Sequence, residues 1–272
     1  MNNKTLKMDI LQLKIPEEAA LLKLLNGNVS AIIFDNIVDE LFISKVINNI
    51  NDFDTEFYRA FNGENAFSIP MMFGQLLDKN NEEDKKKYFS DVKHFEKEWR
   101  EKINFDFSIS KLLSPYFKPF SCEVLEGFLP FSLRVLHAQK GGLSTHKDED
   151  LFEYVHPEVA EAIKEKIIPE TMMSWFITIQ NTEKGGKLNV LPKEFNFYKK
   201  INENTFLDTE NKEITTKDLP FKNIDITERS LILFNGGDFW HQVSAILGEK
   251  DRITLGGFWA MNKAKNKVLI WS

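Results

Sequence analysis

Five residues of this 272-residue chain have the types and spacing of a metal-centred site that also holds an anion. His146 and Asp148 stand two apart in Gly141-Gly142-Leu143-Ser144-Thr145-His146-Lys147-Asp148, so on an extended strand both side chains leave one face. A second imidazole, His241, lies far downstream in Phe239-Trp240-His241. Two imidazoles and one carboxylate can hold a divalent first-row metal on three positions and leave the others open. After His241 comes Asp251-Arg252-Ile253-Thr254, in which Arg252 and Thr254 share a strand face with Gly256 and Phe258. An arginine on the inward face of a strand requires an anion, because a buried charge must be paired. A carboxylate suits it, since guanidinium meets carboxylate in a two-pronged fork.

The elements that must bring these residues together are mostly extended. From Phe120 onward, short runs separated by turns read as strands: Leu133–Gln139, Thr171–Gln180, Lys187–Leu191, Arg229–Phe234 and Arg252–Ala260. Gly185-Gly186 and Gly236-Gly237 punctuate them. One helix interrupts, with His156 near its cap and Pro157 at its first position. Many short strands at close spacing predict a closed double sheet or jelly roll. Before Phe120 the chain reads as mostly helical. Pro16 to Leu25 has proline and acids in its first turn. Asp39–Ile50 is amphipathic. In Asn81–Ile103, Tyr88, Val92, Phe95, Trp99 and Ile103 recur every three or four residues. Ser108–Phe117 is a further short helix, and Ser30–Phe34 a first strand. The expected organisation is one domain over 1–272, mainly β with α. Within it, residues 1–119 are mostly helical support and 120–272 a jelly-roll core with lid insertions near 149–168 and 195–225.

The ordered set of His146, Asp148, His241, Arg252 and Thr254 resembles the Fe(II)/2-oxoglutarate-dependent oxygenases, and the likeness extends over about Leu133 to Trp259. Gly185-Gly186-Lys187-Leu188 is similar to that superfamily's Gly-Gly turn into a core strand. The resemblance implies a double-stranded β-helix core, with Fe(II), 2-oxoglutarate and O2 as cofactors. It makes His146, Asp148 and His241 the metal ligands and Arg252 the partner of the distal carboxylate of 2-oxoglutarate, with Thr254 adding a hydroxyl. It also implies oxidation of an unactivated C–H with release of succinate and CO2. Arg134, in the strand before the motif, is a second cofactor-binding candidate that could meet a cosubstrate carboxylate, a substrate carboxylate or an ordinary acid. The C-terminal Lys267-Val268-Leu269-Ile270-Trp271-Ser272, with Arg252 to Trp259, is similar to the alkaloid-type aliphatic halogenases and their hydroxylase relatives. In those halogenases a small residue replaces the acidic ligand and admits chloride. Asp148 departs from that pattern and argues against halogenation.

The expected activity is hydroxylation of a small molecule, an amino acid or a secondary metabolite. A peptidyl or protein hydroxylase is the first alternative, with an aliphatic halogenase and a non-catalytic jelly-roll binding module behind it. A formal charge of −6 provides no basic footprint for nucleic acid or an anionic membrane. Cys122 is the one cysteine, so no internal disulfide forms and a packed, idle thiol is expected. With no signal-peptide core at the N-terminus and no run near the ~18 apolar residues of a span, the expected location is cytoplasmic. The 24 phenylalanines, against 5 tyrosines and 5 tryptophans, point to an aromatic interior. His94 is read as a surface histidine and His137 as packed beside the site rather than a ligand. Trp240 is expected to pack under the metal, and one of Trp175 and Phe176 to line the pocket. Glu149 and Asp150 either recognise a cationic substrate or form a solvated loop.

Overall fold

The structure, a computed structural model, describes residues 9–61, 65–76, 81–103, 108–191, 199–202, 205–207, 212–215 and 218–272. The chain begins with β1 (Ile10–Leu13), α1 (Glu18–Leu25) and β2 (Ala31–Phe34), and β1 runs parallel to β2. α2 (Glu40–Asn49) starts where the Asp39 carboxylate accepts a hydrogen bond from the Phe42 N–H at 2.7 Å, satisfying a donor that the first turn leaves free. A hairpin of β3 (Arg59–Phe61) and β4 (Ala66–Ile69) follows. The long helix α3 (Glu82–Ile103) buries Tyr88, Phe95, Trp99 and Ile103 on one stripe, and each such side chain contributes roughly 1.5–3 kcal/mol of burial. α4 (Ile109–Leu113) ends in a 3-10 turn to Phe117. Besides the expected helices and the expected first strand, now β2, the described part of the first 119 residues therefore holds three further strands, β1, β3 and β4. Runs as short as Ile10–Leu13 carry no periodicity that separates a buried strand from a helical turn.

The second half supplies β5 (Ser121–Val124), β6 (Ser132–Leu136) and β7 (Gly141–His146), then the short helices α5 (Leu151–Tyr154) and α6 (Pro157–Lys164). There follow β8 (Met173–Gln180), β9 (Lys184–Gly185), β10 (Leu188–Val190), β11 (Lys199–Asn202), β12 (Thr205–Leu207) and β13 (Glu213–Thr215). The last strands are β14 (Lys222–Ile224), β15 (Leu231–Phe234), β16 (His241–Leu247), β17 (Arg252–Met261) and β18 (Lys267–Trp271). The large sheet runs β1-β2-β15-β8-β17-β6-β4-β3, with β18 and β5 beside β17. A smaller sheet runs β14-β10-β16-β7, with β9 on β16. The two sheets face each other as a jelly roll, the predicted core. β11, β12 and β13 form a third sheet within the 195–225 insertion, part of which lies outside the described residues.

β17 is the spine of the large sheet, and all ten of its residues are buried. Its Ile253, Leu255 and Trp259 join the main hydrophobic core, with Trp175, Phe42, Phe95 and Trp99. Arg252 and Thr254 instead line the cavity between the sheets. At Gly256 a Cβ would stand 2.4 Å from the Trp175 carbonyl oxygen and 2.6 Å from the Phe176 Cβ, so the close approach of β8 and β17 requires glycine there. Cys122 is buried, and burial pushes its thiol up to about 12, which fits a packed side chain. Among the described residues no helix is long and apolar enough to cross a membrane.

Candidate metal centre and cosubstrate cavity

β7 and β16 pair antiparallel with His146 directly opposite His241, and the two imidazole rings stand 4.3 Å apart. Asp148 follows β7, where its N–H donates to the Gly236 carbonyl at 2.9 Å. One nitrogen or oxygen from each of His146, Asp148 and His241 lies within 4.8 Å of the others. Asp148 Oδ1 is 3.7 Å from His146 Nε2 and 3.6 Å from His241 Nε2.

The far side of each group is already tied to the protein. His146 Nδ1 lies 2.7 Å from the Ser144 carbonyl oxygen and His241 Nδ1 2.9 Å from that of Phe239. A carbonyl only accepts, so each Nδ1 carries the proton and each Nε2 presents its lone pair to the cluster. The Ser174 hydroxyl donates to Asp148 Oδ2, leaving Oδ1 for the centre. A Cβ on Gly236 would stand 2.1 Å from Asp148 Oδ2, so only glycine leaves room for that carboxylate. The donor set is two neutral imidazoles and one carboxylate on one side of an open cavity, which suits a divalent metal with free positions.

Deeper between the sheets, β6 pairs with β17 so that Arg134 is opposite Thr254. The Arg252 guanidinium lies 5.1 Å from the centre of the Phe176 ring and that of Arg134 5.8 Å from Phe258. Burial, and then the charge of Arg134, pushes Arg252 down to about 10. Burial lowers Arg134 as well, partly offset by Asp148. Neither arginine forms an ion pair with a described residue, and Arg134 Nε and Nη2 are buried without a hydrogen-bond acceptor. Two desolvated guanidiniums lacking a carboxylate fit an anionic ligand better than a closed core.

Two connected spaces serve this site. The inner one is lined by all three candidate ligands with Arg134, Arg252 and Thr254. The outer chamber, of about 460 Å³, adjoins His146, Asp148 and Arg134 and is walled by Phe61, Met72, Leu143, Leu151 and Phe258. Phe176 lines the inner space, whereas Trp175 turns into the core and donates to the Phe258 carbonyl at 3.2 Å. His137 sits 3.1 Å from Asp251 Oδ2 and against Phe67, away from the ligands, and His94 is exposed on α3. His156 precedes α6 as expected, but its side chain bonds Glu82 Oε1 at 2.9 Å rather than capping the helix. Trp240 does not pack under the metal site. On β16's approach it alternates away from His241 and packs against Phe206, 5.5 Å away, with Lys147 over its ring. Glu149 is exposed, and partial desolvation and the nearby Asp238 raise its pKa. Ser174, Gly236 and Phe61 were not anticipated. A lone hydroxyl inside Met172-Met173-Ser174-Trp175-Phe176 was the available signal for Ser174.

A two-sheet jelly roll with two histidines and an aspartate at its mouth, and buried arginines behind them, defines the class of Fe(II)/2-oxoglutarate oxygenases, with Fe(II), 2-oxoglutarate and O2 as cofactors. Residues 3–272 match the sequence family described as carrier-protein-independent halogenase WelO5, and the chain belongs to that family. No curated protein sequence matches the chain. Among solved structures, the chain is similar to an N-substituted L-amino acid dioxygenase from Burkholderia ambifaria AMMD. The TM-score is 0.61 at 15% identity, over 94% of this chain and 91% of that one. The same enzyme in complex with alpha-KG gives a TM-score of 0.57 at 14% identity, with the same coverage of both chains. A 2OG-Fe(II) oxygenase family oxidoreductase from Burkholderia pseudomallei gives 0.50 at 10% identity, over 92% and 94%. At these identities the likeness concerns the fold.

Proposed function

We propose that the protein hydroxylates an unactivated C–H of a small molecule, an amino acid or a secondary metabolite, with release of succinate and CO2. His146 Nε2, Asp148 Oδ1 and His241 Nε2 hold the iron, and Arg252 with Thr254 binds the distal carboxylate of 2-oxoglutarate. Iron with bound 2-oxoglutarate supplies O2 activation for C–H oxidation. The chain supplies the rest. Backbone carbonyls fix both histidine tautomers, Ser174 fixes the carboxylate, and Arg252 orients the cosubstrate from the wall formed by β17. The apolar walls of the outer chamber keep water away and hold the substrate close.

The observation that carries this reading within a family described as halogenase is Asp148. Its carboxylate stands where a chloride would have to bind, and it is held there by Ser174 and Gly236. The neighbour that acts on N-substituted L-amino acids supports an amino-acid-like substrate, and a chamber of about 460 Å³ has the size of a small-molecule site. The test is succinate release from 2-oxoglutarate across amino acids, their N-substituted derivatives and metabolites, in chloride-containing buffer, with product mass recorded. A product gaining one oxygen is expected, and Asp148→Ala should not form it. A chlorinated product from the unmodified protein, or full hydroxylation by Asp148→Ala, would overturn the reading.

A further inference from the structure

Arg134 has a different position from Arg252. Arg252 and Thr254 line the inner space but not the outer chamber, whereas Arg134 lines both. Among the described residues, the charged and metal-binding side chains lining the two spaces are Arg134, Arg252, Asp148, His146 and His241. With the histidines neutral, iron(II) and Arg252 balance the two charges of 2-oxoglutarate and the one of Asp148. The Arg134 charge is left over in a desolvated wall, where an unpaired ion is costly. The neutral polar side chains lining that chamber among the described residues are Gln75 and Ser144, and Gln75 is already used. Its Oε1 accepts from Ser68 Oγ at 2.6 Å and from the Met72 N–H at 2.7 Å, and its Nε2 donates to the Arg59 carbonyl at 3.3 Å. Arg134 Nε and Nη2 have no such partner among the described residues. The surfaces beside it are Phe61, Met72, Leu143, Leu151 and Phe258.

On the reading above of iron and cosubstrate, we infer that Arg134 is a specificity residue that anchors a substrate carboxylate, and that the substrate is an apolar body carrying one carboxylate. The anchor and the metal face the same chamber, so the carboxylate fixes the distance between the charged end and the C–H offered to the iron. A guanidinium held on a strand and flanked by an aromatic ring sets that position more firmly than a lysine could.

The test uses the Fe(II)- and 2-oxoglutarate-loaded protein under anaerobic conditions and matched pairs of probes: N-acetyl-L-leucine and N-acetyl-L-phenylalanine, each against its primary amide. Binding is read by calorimetry and by perturbation of the Fe(II)–2-oxoglutarate absorption band. At least one acid should bind roughly tenfold or more tighter than its amide. Arg134→Gln should erase that preference while moving 2-oxoglutarate binding less than about twofold, and Arg134→Lys should restore part of it. Retained 2-oxoglutarate binding by Arg134→Gln also shows that the variant is folded. Equal binding of acids and amides, or no binding of either, would overturn the inference, as would a preference that survives Arg134→Gln. A large loss of 2-oxoglutarate binding in Arg134→Gln would make Arg134 a cosubstrate ligand instead. Absence of the absorption band in the unmodified protein would instead strike the cofactor reading itself, a distinguishable result.

Discussion

At the mouth formed by β7 and β16, each candidate ligand has its second polar atom tied down before any metal arrives. Ser144 and Phe239 hold the two imidazoles, and Ser174 holds the carboxylate. Across the cavity, on β6 and β17, Arg134 and Arg252 are buried without an ion pair among the described residues. The metal side is preorganised by the chain, and the cation side is completed by what binds. This division suits an enzyme that keeps one ion through many turnovers but exchanges its cosubstrate and substrate in each. It also implies that losses on the two sides will differ in kind. A change on the metal side should weaken the ion, and a change on the cation side should weaken only anions.

The sharpest way to separate the two sides is Arg252→Gln. Truncating one partner of a buried charge pair costs about 2–5 kcal/mol, or roughly thirtyfold or more in the 2-oxoglutarate requirement. Iron affinity, measured by anaerobic titration, should hardly move. Equal losses of both would break the division. On the metal side, Gly236→Ala drives a methyl group into Asp148 Oδ2, and metal binding should fall by about 100-fold, the upper end for changes behind a ligand. Ser174→Ala removes only the hydroxyl that holds the carboxylate, so a loss of about tenfold in metal affinity is expected, with the 2-oxoglutarate requirement unchanged once metal is saturating. If Ser174→Ala instead raised that requirement alone, Ser174 would belong to the cation side. Smallest is Asp39→Ala at the start of α2, remote from both sides. It should lower stability by about 1 kcal/mol, a Tm change of about 2–4 °C, with neither ligand affected.

How much of this was legible in the sequence depended on how local each signal is. His146, Asp148, Arg252 and Thr254 could be placed on shared faces because strand periodicity is a two-residue rule, and the structure brings them to one cavity with His241. α2 and α3 were legible because their apolar stripes repeat over ten residues or more. Of the strands in the first 119 residues, β2 was legible as the apolar run Ser30–Phe34, whereas β1, β3 and β4 were harder, being runs of three or four residues that only their neighbours define as strands. Trp240 was misplaced because adjacency to His241 says nothing about which face of β16 a side chain takes until the register with β7 and β10 is known. Ser174 and Gly236 act by meeting Asp148 from 26 residues away in one case and across a turn in the other. Their roles exist only in the folded packing. The same holds for Arg134: of its three possible partners in the sequence reading, an ordinary acid finds no counterpart as an ion pair among the described residues.

The most direct measurement is the effect of chloride on the absorption band of the anaerobic Fe(II)–2-oxoglutarate complex. With Asp148 on the iron, the band should be indifferent to chloride in the unmodified protein and become chloride-sensitive in Asp148→Gly. A band that shifts with chloride in the unmodified protein would mean that the carboxylate leaves its position to an anion, contradicting Asp148 as a ligand and the hydroxylase reading with it.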